Sequence, residues 1–158
     1  MYEEAPSLNA VAEFHYSFNH PVKEKPMIPA EKRVKLRIDL IQEELDELKE
    51  GIKNDDIVEV ADALCDLQYV LSGAILEFGL AEKFKDLFLE VQRSNMSKAC
   101  RTEREAIATV EHYQDNGIPC HFEKRGNYFV VYRNADKKIM KSISYSPANL
   151  KTLLKEKS

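Results

Sequence analysis

Cysteine is scarce. The chain has three, Cys65, Cys100 and Cys120, widely spaced and without a CxxC pair. That count and spacing exclude a disulfide framework and the paired-cysteine zinc patterns. Cys65 falls in an apolar run and is expected to be a small core side chain. No apolar stretch reaches ~18 residues without a charge, the length a membrane-crossing helix needs. The opening MYEEAPSLNAVAEF lacks a basic start followed by an apolar run, so no secretory signal is expected there. A cytoplasmic, reducing location follows as the expectation. Positive charge is not in excess: 23 Lys and Arg stand against 27 Asp and Glu, for a net charge of -4. Neither nucleic acid nor a membrane is therefore expected as a partner. No Walker loop is present, and no nucleophile, base and orienting acid form a triad pattern.

What is present is a chain of 158 residues, 44% hydrophobic and 32% charged. That suits one globular domain with a small appendage. The apolar spacing predicts a helix over 7–19, with Val11, Phe14 and Phe18 on one side. Three of the six prolines fall in 19–29, an extended connection. A long helix is expected from Ala30 to Glu50, stopping near Gly51. A third, capped by Asn54 or Asp55, should run to Phe78 before Gly79. A fourth covers 81–98, with Phe84, Leu87, Phe88 and Val91 as its apolar side. After Cys100 the character changes. Thr102 to Glu105 reads as a capping box opening a short helix that ends at Asn116-Gly117. Residues 121–145 read as short strands broken at RGN and NADKK. Ser146-Pro147 suggests the start of a last helix. The expected fold is mainly α: a four-helix body over 1–100 and an α+β appendage over 101–158.

The chemistry lies in two of these helices. On the second, Val34, Ile38, Ile41, Leu45, Leu48 and Ile52 form one apolar stripe. Leu36 and Leu40 lie on the opposite side, and Glu43, Glu44 and Glu47 continue that side. Two buried faces favour at least a dimer. On the third helix, Glu59, Asp62 and Asp66 recur at i, i+3 and i+7, which is one face. The residues around them are nearly all apolar, and no Lys or Arg occurs between Lys53 and Lys83. A carboxylate buried there costs several kcal/mol unless it is paired. A short link makes the two helices antiparallel and brings Glu44 and Glu47 near Glu59 and Asp62. Divalent metal is the simplest resolution. Read alone, Glu43, Asp46, Glu47 and Glu50 also suit a solvated helix face. The ligands would all be oxygen, which fits Mg²⁺, with Mn²⁺ as a substitute. No Glu is followed three residues later by His, which excludes the di-iron pattern, and no EF-hand loop is present. Mg²⁺ held by carboxylates suits phosphate chemistry.

Glu43-Glu44-Leu45-Asp46-Glu47 followed by Glu59-Val60-Ala61-Asp62 resembles the EExxE…ExxD pattern of the MazG-like all-α nucleoside triphosphate pyrophosphohydrolases. This superfamily includes phosphoribosyl-ATP pyrophosphatase and the dimeric dUTPases. FHYSFNHPV and Arg93-Ser-Asn-Met-Ser-Lys98 also resemble parts of one MazG-like branch, whereas the tail after Cys100 lies outside the common core. The resemblance implies Mg²⁺-dependent cleavage between the α and β phosphates of a nucleoside triphosphate. It implies metal ligation by Glu44, Glu47, Glu59 and Asp62. Glu43 would orient or deprotonate the attacking water, while Asn95 and Lys98 would face the substrate. It further implies a homodimer or a dimer of dimers. Asp66 is outside the short motif and is either an acceptor behind the ligands or an extra ligand. Two other readings stand beside this one. One is a dedicated phosphoribosyl-ATP pyrophosphatase. The other is a non-catalytic metal-binding helical module. Arg33 and Arg37, one turn apart, either reach phosphates or are surface charges. His15, among Phe14, Tyr16 and Phe18, either lines a base pocket or belongs to the core. Tyr128, Phe129, Tyr132 and Arg133 either stack on nucleic acid or, with no basic excess in the chain, serve as strand packing, the favoured reading.

Overall fold

The computed structural model describes residues 2–155. It is mainly helical, 58% helix with six helices, and carries a small antiparallel two-stranded sheet. The elements are α1 (Ser7–Ser17), α2 (Glu31–Lys53), α3 (Ile57–Glu77), α4 (Ala81–Met96), α5 (Glu103–Asp115), β1 (Cys120–Arg125), β2 (Tyr128–Arg133) and α6 (Leu150–Leu154). The chain divides into two compact units, Met1–Lys85 and Asp86–Ser158. The division falls inside α4.

In the first unit α2 and α3 form a hairpin that α1 covers from one side. Their register is antiparallel. Gly51 lies against Glu59 and Val60, Arg37 against Gly73, and Arg33 against Glu77. Gly51 does not end α2, which continues to Lys53. It is a point of close approach: a Cβ there would sit 3.1 Å from the Val60 nitrogen. The α3 cap is Asp56, not Asn54 or Asp55. Its Oδ1 accepts from the Val58 and Glu59 amides at 2.9 and 3.2 Å. Its charge also suits the positive helix end. The proline-rich connection runs past the other end of α3. There the amides of Lys23 and Met27 donate to the carbonyls of Leu76 and Phe78, each at 3.0 Å. These carbonyls have no partner inside the helix.

The second unit has its own core: Cys100, Ala106, Cys120 and Val131, with Phe122, Phe129 and Met140 packed against them. The predicted capping box is present. Thr102 Oγ1 accepts from the Glu105 amide at 3.2 Å, and Glu105 reaches back to the Arg101 amide at 2.8 Å. β1 and β2 pair from Cys120–Arg133 to Arg125–Tyr128 across a two-residue turn. Gly126, at φ 59, takes its first position, where a type II′ turn requires glycine. Phe129 packs into this core, as the sequence predicts. The expected strand after NADKK is reduced to one bridge, Tyr132 to Ile139. Ser142 instead hydrogen-bonds Glu105, and the chain turns where the Tyr145 amide donates to the Ser142 carbonyl. The last helix starts at Leu150, capped by Asn149, later than Ser146-Pro147 suggests. Ser146 is held elsewhere, exchanging hydrogen bonds with Ser97.

Candidate active site

The hairpin register sets the acids. Glu43, Glu44 and Glu47 come from the middle of α2, and Glu59, Asp62 and Asp66 from the facing half of α3. Glu44 is the centre of the group. Its carboxyl is held above the ordinary range, first by burial, then by the charges of Glu47, Asp66, Glu43 and Asp62. Asp66, outside the short motif, is among the charges that act on it. Glu59 is absent from that set. It lies opposite Gly51, about one helical turn nearer the hairpin link than Glu47.

The neighbours separate these acids from an ordinary helix surface. Asp39, Asp46 and Glu50 on the same helix are each paired with a lysine: Lys35, Lys49 at 2.8 Å and Lys53 at 3.3 Å. Among the described residues, the carboxylates of Glu43, Glu44, Glu47, Glu59, Asp62 and Asp66 have no hydrogen bond and no ion pair. Asp46 and Glu50 therefore belong to the solvated face. Glu44 and Glu47 belong to an uncompensated acidic cluster. Among the described residues no three carboxylate, imidazole or thiol groups close on one point as they would around an ion. The donors are all oxygen, which fits a hard cation such as Mg²⁺.

The apolar surroundings expected to bury the α3 acids are open instead. Ile57, Val58 and Leu64 are 76%, 71% and 52% exposed, and Cys65 is exposed rather than in the core. The reason is geometric. α3 is apolar nearly all round, but α1 and α2 cover only part of it. On α2, Ile38 and Ile52 are likewise 60% and 62% exposed.

Arg33 and Arg37 are engaged with a buried acid; Arg37 is itself buried, and Arg33 keeps part of its side chain in reach of solvent. Both hold Glu77, which is 1% exposed. Each Nε donates to the carboxylate at 3.0 Å, and each Nη2 adds a second bond. Burial works to raise the Glu77 carboxyl, and the hydrogen bonds from Arg33 and Arg37 outweigh it and leave it low. His15 belongs to the same group and is a core histidine. Its Nδ1 donates to the Pro21 carbonyl at 2.9 Å, leaving Nε2 to accept from Arg37 at 3.3 Å. Burial, above all, lowers its pKa. Gly73 makes room: a Cβ there would stand 2.5 Å from Arg37 Nη1. Glu77 is the residue that sequence reasoning missed. Its one available signal is that α3 ends apolar, with a single acid among Ile75, Leu76 and Phe78.

In the second unit, Lys98 Nζ donates to Asn95 Oδ1 at 2.8 Å, so the two candidate substrate residues at the end of α4 are neighbours.

A helical hairpin that gathers unpaired carboxylates from EExxE and ExxD segments defines the MazG-like class. The sequence model of the phosphoribosyl-ATP pyrophosphohydrolase family matches residues 11–95, and the chain belongs to that family. The matched span holds every candidate acid and Asn95. The chain is also similar to an uncharacterized protein of Acanthamoeba polyphaga mimivirus. The two are 24% identical over 243 residues, covering 96% of this chain and 97% of that protein.

Proposed function

We propose that this protein hydrolyses a nucleoside triphosphate between its α and β phosphates, giving a nucleoside monophosphate and pyrophosphate, with Mg²⁺ as cofactor. The observation that carries the reading is the set of six carboxylates left without partners among the described residues, beside lysine-paired acids on α2. Glu44, Glu47, Glu59 and Asp62 would hold the metal, with Asp66 as an acceptor behind them or an extra ligand. Bound Mg²⁺ would supply the positive charge that lets so acidic a surface accept a polyphosphate. Glu43, on the same helix, would orient the attacking water and take its proton. Asn95 would position Lys98, whose ammonium would face the phosphates. The apolar surfaces of α2 and α3 left open by one chain fit a homodimer or a dimer of dimers. Mn²⁺ would substitute for Mg²⁺. The helical domain is read as residues 1–100 and the appendage as 101–158.

A second reading is specific. The matching family takes its name from phosphoribosyl-ATP, so that nucleotide belongs in the substrate panel. The test is Glu59→Gln and Glu44→Gln, each nearly isosteric, with the fold checked by circular dichroism. Loss of pyrophosphate release in both supports the reading. Turnover retained in either sinks it. Stabilisation by Mg²⁺ with no hydrolysis of any nucleotide would favour the metal-binding module.

A further inference from the structure

We propose that a cavity in the second unit, between the end of α4 and the appendage, binds the phosphate group of a small phosphorylated ligand, of which a nucleoside monophosphate is the best-fitting class. The proposal does not depend on the hydrolytic reading of the acids. The cavity is ≈ 410 Å³, within the range of small-ligand sites. Arg93 and Arg101 line it with one carboxylate, Glu105; Arg93 is paired with Glu90, which leaves the Arg101 guanidinium as the unpaired cation of the lining among the described residues.

That carboxylate is already occupied. It accepts from the Arg101 amide at 2.8 Å and from the Ser142 hydroxyl. Arg93 is fixed in place by Glu90, at 2.7 and 2.8 Å, and by the Pro147 carbonyl at 3.1 Å. The Arg101 side chain makes no hydrogen bond or ion pair among the described residues. It is a planar donor set suited to two phosphate oxygens. More positive charge stands close by. Lys141, Lys98 and Arg93 all act on Tyr145, whose phenol is lowered first by its hydrogen bond with Ser94. Residues 86–158 hold 13 Lys and Arg against nine Asp and Glu, in a chain of net charge -4. The positive field is therefore local to this unit. Tyr128 puts an aromatic ring on the cavity wall, 36% exposed, where a nucleobase would stack.

The full-length protein in EDTA, titrated calorimetrically with inorganic phosphate, ribose 5-phosphate and nucleoside monophosphates, tests this. EDTA keeps metal from recruiting anions to the acids of the first unit. Binding is expected, weakened about tenfold or more by Arg101→Ala. Glu59→Gln should bind as the wild type does. Tighter binding of the nucleotides than of phosphate, with the difference erased by Tyr128→Ala, assigns the ring to the base. Equal affinities that are lost in Arg101→Ala support a phosphate site without base recognition. No binding at millimolar concentration overturns the proposal. So does binding that survives both Arg101→Ala and Arg101→Glu.

Discussion

Replacing Glu77 by Gln removes one charge from the most buried ionic group in the first unit. The side chain is nearly isosteric, so packing is preserved and the electrostatic consequence is isolated. Two guanidinium groups then face a neutral amide. Breaking a buried pair from one side costs ~3–5 kcal/mol. Arg33 keeps 30% of its side chain exposed and recovers some hydration, whereas Arg37 keeps 8%. The lower end, about 3 kcal/mol, is the expected loss. For a chain of this size that lowers Tm by roughly 6–12 °C. The assay is thermal unfolding followed by circular dichroism at neutral pH, repeated in acid. The Glu77 carboxyl is depressed in the folded state, so its contribution is present above its unfolded pKa and lost as pH falls through the folded value. The gap between wild type and variant should therefore close below about pH 4. Pairing the change with Arg37→Met should restore part of the loss, since a removed pair costs less than a broken one. A Tm within about 2 °C of wild type at neutral pH would refute the reasoning.

Three further outcomes follow from the same geometry. His15 is kept neutral by burial, so the unfolded chain binds the proton more readily. Stability should fall as pH drops below about 6.5, and His15→Gln should flatten that slope in urea titrations between about pH 7 and 5. Gly73→Ala would place its Cβ against Arg37 and push the guanidinium off Glu77. The helix gains up to ~1 kcal/mol from alanine, so the net loss in denaturant titration should be about 1–2 kcal/mol. Mg²⁺ should raise the Tm of the wild type, and the rise should shrink in Asp66→Asn as well as in Glu44→Gln, which thermal scans at fixed metal concentration will show.

The helices were legible because their signals are local. Apolar spacing, the Thr102 to Glu105 capping box and the glycine breaks each act within a turn or two. The acidic motif was legible for the same reason, because i, i+3 and i+7 spacing on one helix fixes a face. The misread features depend on what another element does. Gly51 looked like a helix end, but it marks where α3 comes close. Cys65 and Leu64 looked buried, but α1 and α2 cover only part of α3. Glu77 lies 44 residues beyond Arg33 and 40 beyond Arg37 in the chain. Nothing in the sequence near the arginines announces a buried acid at the end of α3. Asp66 was legible on the acidic face of α3, but its action on Glu44 depends on the hairpin register.

The most direct test of the central claim is product identity. The protein is incubated with a panel of nucleoside triphosphates and phosphoribosyl-ATP, in Mg²⁺ or in EDTA, and the products are resolved by ³¹P NMR. The account predicts monophosphate product and pyrophosphate in equal amounts from at least one substrate, only with metal, and none from Glu59→Gln. Release of single phosphate to leave a diphosphate, or turnover unaffected by EDTA, would contradict it.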